Sequence, residues 1–408
     1  MPIVRGQMGI ETKVTASTTG VRSVGFGFTV CCMGMMSLAI GINLLPVFFT
    51  TLQTSLGGAA GLTNEQLGRI MAVTFLGVVA ATLATGPLAD RYGPRPFGLI
   101  GNALIIVGLL MLSLANGYNA VLWASLVMGI GAGTVDMVLS PIVGALKPHN
   151  RSSAMNWLHS FYTTGAMVTV MIAATALYFN ISWKVAAVVL IILPVLVFIG
   201  FLLIHIPPMA PEASEGGKHR LRDMSKAPFF WAAMAAIAMG GATELGMASW
   251  LPAYAEKSLG YTTFQGALAF TGFLAAMSIG RIFIGIIGNP GNIMKLLKVC
   301  CLGSIVFFLV ASFAPWPGVA LASCILAGLA GSALWPSMLA ITADHYPRGG
   351  ATMYGALAGA GNAGAIVMPW IVGLAADHWT MSIGIATGAI CPAVMWVILL
   401  GMRGRRKA

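Results

Sequence analysis

Charge is what this chain has least of. Only 8% of its 408 residues are Asp, Glu, Lys or Arg, whereas soluble domains carry roughly a quarter. That scarcity excludes a water-soluble globular protein, and 58% hydrophobic residues with a mean hydropathy of +0.88 make lipid the solvent for most of the chain. Catalytic signatures are missing as well. There is no phosphate loop ending in Gly-Lys-Ser/Thr, no His-Glu-x-x-His and no Gly-x-Ser-x-Gly elbow, so no enzyme activity and no cofactor are expected. The six cysteines, at 31, 32, 300, 301, 324 and 391, all lie in apolar runs without Cys-x-x-Cys spacing, which reads as small core or lipid-facing residues and no metal site. No cleaved leader is expected, because the polar start runs straight into an apolar run too long for a signal peptide.

What the chain has in abundance is long apolar runs. A span needs about 20 such residues, and twelve runs qualify: 24–50, 65–86, 97–115, 118–146, 154–180, 183–206, 228–256, 262–287, 293–313, 317–346, 351–376 and 380–402. One long polar break separates them, and it yields a tail (1–23), a six-helix bundle (24–206), a linker (207–227), a second six-helix bundle (228–402) and a basic tail (403–408). The net charge of +11 is a topology signal and not a nucleic-acid footprint. Outside the spans its bases gather before the first span, after every even-numbered span and in the linker, and Lys184 and Lys257 are the exceptions among the other connections. The bases therefore place both termini in the cytoplasm of an inner-membrane, multi-pass protein.

Between the second and third runs stands Gly86-Pro-Leu-Ala-Asp90-Arg91-Tyr-Gly93-Pro-Arg95, an acid, two bases and two glycines in a ten-residue hairpin. An uncharged echo, Gly285 to Gly291 with Asn289 in place of the acid, follows the eighth run, and other stretches of the two halves also repeat. The Gly-x-Leu-Ala-Asp-Arg-x-Gly-x-Arg pattern resembles the signature loop of the major facilitator superfamily of secondary transporters. The resemblance implies an all-α membrane protein of twelve transmembrane helices in two pseudo-symmetric six-helix bundles, with a substrate site between them near the midplane. It also implies that Gly86, Asp90, Arg91, Gly93 and Arg95 form a conformational switch away from the substrate.

Polar residues inside the runs are few enough to weigh singly, since a charge at mid-membrane costs about 2.5–3.5 kcal/mol on insertion scales. Asp136 lies eleven residues before Lys147, about 16 Å into a core about 30 Å thick. Asn156 and His159 lie five and eight residues after Arg151 on the next, antiparallel run, level enough to meet Asp136. The pair reads as a binding or proton-coupling site in preference to a structural clamp. Glu244 is the second buried acid, in a seventh run whose glycines and proline suggest bending or unwinding; with Trp250 it would line a cavity suited to a hydroxylated ring. Arg281 reads as a snorkelling or inner-gate residue, and Asn362 as a hydrogen-bonding ligand or part of a glycine-rich packing face. Asn43, Trp157, Tyr162, Trp335 and Trp370 are weaker cavity candidates that read better as lipid or core packing, and of these Asn43 is kept as a substrate candidate. Tyr254 reads as an interfacial belt residue, and Asp344, His345, Glu256, Asp377 and His378 as solvated span ends.

Asp136 followed by Asn156-Trp-Leu-His159-Ser-Phe-Tyr-Thr-Thr-Gly165, with Ser249-Trp250-Leu-Pro-Ala-Tyr254 and Gly361-Asn362-Ala-Gly364, resembles the fucose-permease-like branch. That branch carries an acid in span one just before Leu-Leu-Pro, where this chain has Ile42 and Asn43; Glu244 is positioned to supply the absent carboxylate. The resemblance implies symport of a sugar or sugar-like solute with protons (or sodium) by a monomer that meets lipid but no nucleic acid. Asp136, His159 and Glu244 would then couple protons, and Asn43, Asp136, Asn156, Glu244, Trp250 and Asn362 would hold substrate. An exporter of amphipathic drugs or organic anions is the alternative, kept open by 25 methionines.

Overall fold

Backbone amides and carbonyls find no water in hydrocarbon, so an apolar chain of this kind can satisfy them only within helices or a closed barrel. The computed structural model takes the first course. It describes residues 18–56, 61–146, 151–204, 221–287, 292–346 and 350–402. The outer parts of both tails, most of the linker and Asn289 lie outside these residues, as do the side chains of Asp90 and Asn156.

The described residues form seventeen helices and no strand: α1 (Thr18–Val47), α2 (Phe49–Leu56), α3 (Asn64–Tyr92), α4 (Pro94–Leu114), α5 (Tyr118–Leu146), α6 (Arg151–Tyr178), α7 (Trp183–Leu190), α8 (Ile192–Leu203), α9 (Leu221–Met224), α10 (Pro228–Lys257), α11 (Thr263–Ile287), α12 (Ile293–Phe313), α13 (Pro317–Gly331), α14 (Leu334–His345), α15 (Gly350–His378), α16 (Met381–Thr387) and α17 (Ile390–Gly401). Twelve spans among them are long and apolar enough to cross a membrane. Three of these are broken in the middle, α7/α8 at Ile191, α13/α14 at Ser332–Ala333 and α16/α17 at Gly388–Ala389, and each break precedes a proline: Pro194, Pro336 or Pro392. The seventh span, expected to bend or unwind, does not unwind: it is the continuous helix α10 with Pro252 inside it. Pro252 stands near the helix end, where little ladder remains to be interrupted.

The hairpin at 86–95 is also helical. Helix α3 runs on through Gly86 to Tyr92 and α4 begins at Pro94, so Gly93 alone forms the joint, with φ +81. That conformation suits a residue without a β-carbon.

Packing is governed by glycines at helix crossings. Within the first half α5 is wedged between α3 and α4, and α1 lies against α5 and α6; in the second half α10 packs on α11 and α15. The halves meet along α3–α15, α6–α11 and α1–α10. A β-carbon at Gly364 of α15 would collide with the Ala238 carbonyl of α10, whereas at Gly355 it would meet nothing within 4 Å. Gly364→Val should therefore cost about 1–3 kcal/mol through overpacking and Gly355→Ala should be neutral or slightly stabilising. Thermal unfolding in detergent checks both.

Candidate functional site between the two halves

The segment Gly129-Ile-Gly131-Ala-Gly133-Thr-Val-Asp136 fixes the first acid in space. Gly129 and Gly133 abut Thr74 and Val78 of α3, while Gly131 abuts Gly101 and Ile105 of α4. With both neighbours at backbone distance, α5 cannot rotate, and Asp136 follows one turn after Gly133. It is half-buried, makes no hydrogen bond among the described side chains, and is electrostatically coupled to His159 on α6. His159 is solvent-exposed and also feels the charge of Arg281 from the other half. Tyr162 lies three residues on, hence on the same helix face, and accepts a 3.3 Å hydrogen bond from Nδ2 of Asn43, which also donates to the Ala39 carbonyl at 2.9 Å.

The second half contributes an ion pair. Nη2 of Arg281 on α11 donates to Oε2 of Glu244 on α10 at 2.9 Å, and Nε donates to the Ser332 carbonyl at 3.2 Å. The carbonyl is available for a reason written in the sequence. Residue 336 is proline, so the amide that would bond Ser332 four residues later does not exist. Arg281 fills that vacancy and presents its remaining guanidinium face to Glu244. Arg281 thus does not snorkel but forms a two-point anchor within the second half.

Tyr162 joins the two sets, since the charges of Glu244, Arg281 and Asp136 all act on its phenolic oxygen. The structure therefore assembles Asn43, Asp136, His159 and Tyr162 opposite Glu244 and Arg281. Trp250 does not join them. Six residues at about 100° each place it about 120° around α10 from Glu244. There its indole N–H donates to the Pro369 carbonyl at 2.8 Å, and its fully buried ring packs edge-on against Phe49. Asn362 on α15 is buried and makes no side-chain hydrogen bond among the described residues. Tyr254, expected at the lipid interface, is buried and donates its hydroxyl to the Ala311 carbonyl. Two surface hollows, beside Tyr178 and Phe264 and along Met167 to Val189, contain none of the cluster residues.

Of the switch residues, Arg95 donates from Nε to the Phe201 carbonyl at 3.0 Å and from Nη2 to that of Leu202. These are unpaired carbonyls in the last turn of α8, where a cation is favoured. Arg91 lies over the Tyr92 ring, and Gly86 approaches Met137 of α5.

On one side the cluster is closed off by bonds between the halves. At the end of the molecule where α3 begins and α15 finishes, Thr50 donates to Glu256 at 2.7 Å, Asp377 accepts from Asn64 and Glu65, Lys257 donates to Asn64 at 2.8 Å, and Trp370 donates to Glu65. Glu256 and Asp377 are thus cross-half partners as well as span ends, Asp377 while still exposed to solvent, and Trp370 is more than packing. Among the described residues every hydrogen bond between the halves lies on this sealed side, the innermost being Thr271 to Met171. Removing one member of the Arg281–Glu244 pair should leave the other charge uncompensated. A double-mutant cycle with Arg281→Ala and Glu244→Ala should give a coupling of about 1 kcal/mol in thermal stability, discounted for an arginine 30% exposed. Pro336→Ala, by restoring a competing amide, should reduce that coupling.

Comparisons with known proteins agree with this architecture. The Major Facilitator Superfamily profile matches residues 29–317. Among curated proteins, synaptic vesicle glycoprotein 2B of Mus musculus is 26% identical over 136 residues, 33% of this chain and 20% of its own length. Monosaccharide-sensing protein 1 of Arabidopsis thaliana is 27% identical over 168 residues, 39% of this chain and 22% of its own. The matches thus span only about a fifth of these relatives. Among solved structures, the E. coli fucose:proton symporter superposes with a TM-score of 0.65 at 18% identity, covering 93% of this chain and 99% of that one. A D-xylose-proton symporter superposes with a TM-score of 0.74 at 14% identity, covering 93% and 97%. With most of its length under that profile and its twelve spans in that fold, the chain belongs to the Major Facilitator Superfamily of transporters.

Proposed function

We propose that this transporter imports a small polar solute, a sugar or sugar-like molecule, together with protons, and that the structure is its inward-open state in an inner membrane with both termini cytoplasmic. The observation that carries the reading is the cluster around Tyr162, in which the electrostatic reach of Asp136 from one half and of Glu244 and Arg281 from the other meets at one side chain. Residues drawn from both halves at mid-span are what alternating access by rocking requires. The two sugar–proton symporters that share the fold support the same class of solute.

The roles divide by partner. Glu244 has its charge balanced by Arg281, itself fixed to Ser332, so this pair orients hydroxyl groups of the solute. Asp136 has only His159 as a facing charge in its own half and no hydrogen bond among the described side chains. It is the group free to gain and lose a proton, with His159 as its partner. Asn43 and Tyr162 complete the solute's contacts. Asn362 and Asn156 are proposed to join them when the cavity closes, whereas Trp250 backs the site and does not touch it.

Two experiments test this. In proteoliposomes, labelled-sugar accumulation should follow an inward proton gradient. Asp136→Asn should abolish that accumulation while leaving solute exchange without a gradient largely intact; gradient-driven uptake unchanged in this variant would sink the coupling role. At the 86–95 switch, Asp90→Ala should lower transport several-fold with binding affinity nearly unchanged, as measured by ligand-induced thermal shift. A large loss of affinity would put the motif at the solute site.

A further inference from the structure

Helix α3 starts with an N-terminal cap of its own. Thr63 Oγ1 accepts the Gln66 amide at 3.1 Å, and Gln66 Oε1 accepts the Thr63 amide at 2.9 Å, a complete capping box. That box leaves the amides of Asn64 and Glu65, two of the four orphan donors at a helix start. Both are taken by one carboxylate from the other half of the protein. Asp377 Oδ1 accepts from Asn64 N and Nδ2, each at 2.9 Å, and Oδ2 accepts from Glu65 N at 2.6 Å.

The surroundings are built for this contact. A β-carbon at Gly373, one turn before Asp377, would collide with the Asn64 carbonyl. Gly68 on α3 lies equally close to Pro369. Lys257 donates to Asn64 Oδ1, whose Nδ2 already serves Asp377, so α10, α3 and α15 share one network. Glu256 and Thr50 add a parallel bond between α10 and α2.

We infer that Asp377 is a removable cap: the carboxylate that holds α3 to the second half when the sealed end is shut and leaves it when that end opens. Two features make the contact reversible. Asp377 is solvent-exposed, so water replaces the lost partners on both sides. The capping box of Thr63 and Gln66 lies wholly within the first half, so α3 keeps its own start when the borrowed carboxylate departs. Opening therefore costs the helix–charge contact without unravelling the helix. An acid at this place stabilises the shut end through the amides and the positive end of the α3 dipole.

The test uses the full chain in nanodiscs, spin-labelled at Ser55→Cys and Ser258→Cys, both exposed and on opposite sides of the seal. Distance distributions by pulsed electron resonance report the shut and open populations. Asp377→Ala should raise the open-to-shut ratio about fivefold, the size expected for loss of a helix cap. Asp377→Asn, which keeps one accepting oxygen, should give a smaller rise and decides the matter if the alanine variant does not fold. Lys184→Ala serves as control, because Lys184 bonds Asn116 within the first half at the same end; it should leave the ratio unchanged. Unaltered distances in both Asp377 variants, or an equal rise in the Lys184 variant, would overturn the inference.

Discussion

An unpaired backbone group is expensive for a helix to carry into a membrane, and three charged side chains of this protein each meet such a group on another helix. Arg281 occupies the Ser332 carbonyl that Pro336 leaves open. Arg95 occupies the last carbonyls of α8. Asp377 occupies the first amides of α3. In each case the charge sits on one helix and the orphan on another, so a local defect in one ladder becomes a bond between two elements. Few charges are needed, because each serves at once as cap, tether and electrostatic marker.

The same constraint governs how a polar site survives among glycine-packed helices. The glycines of α5 draw α3 and α4 so close that no lipid or water enters between them, which fixes the azimuth of Asp136 without any hydrogen bond to it. The second half does the converse, fixing Arg281 by direct bonding and leaving Glu244 to follow. One acid is held by shape and the other by charge. That difference in restraint underlies the division of roles proposed for them.

Much of the fold could be read from the sequence, because long apolar runs and the Gly86–Arg95 pattern are signals along the chain. Asp136 and His159 were legible for a related reason: counting residues from a basic end measures depth, and depth alone was enough to bring them level. The pairing of Glu244 with Arg281 needed azimuth as well, and counting does not supply it. Trp250 shows the same limit, lying about 9 Å along α10 from Glu244 and on another face of that helix. The Ser332–Pro336 spacing was a usable clue to an open carbonyl, though nothing in it names the donor. At Glu256 and Asp377 the sequence shows a charge at a span end but nothing of the facing helix that each one bonds. Tyr162, taken for packing, gains its place only when both halves are present.

Helix α3 carries the borrowed cap at its first turn and the Asp90–Arg91 segment at its last. It runs unbroken for 29 residues, about 43 Å at 1.5 Å per residue. A lever of that length turns a small tilt into opposite displacements at its two tips. A tilt that lifts the borrowed cap at one membrane face therefore also displaces the Asp90–Arg91 segment at the other, so one rigid helix ties the two faces together.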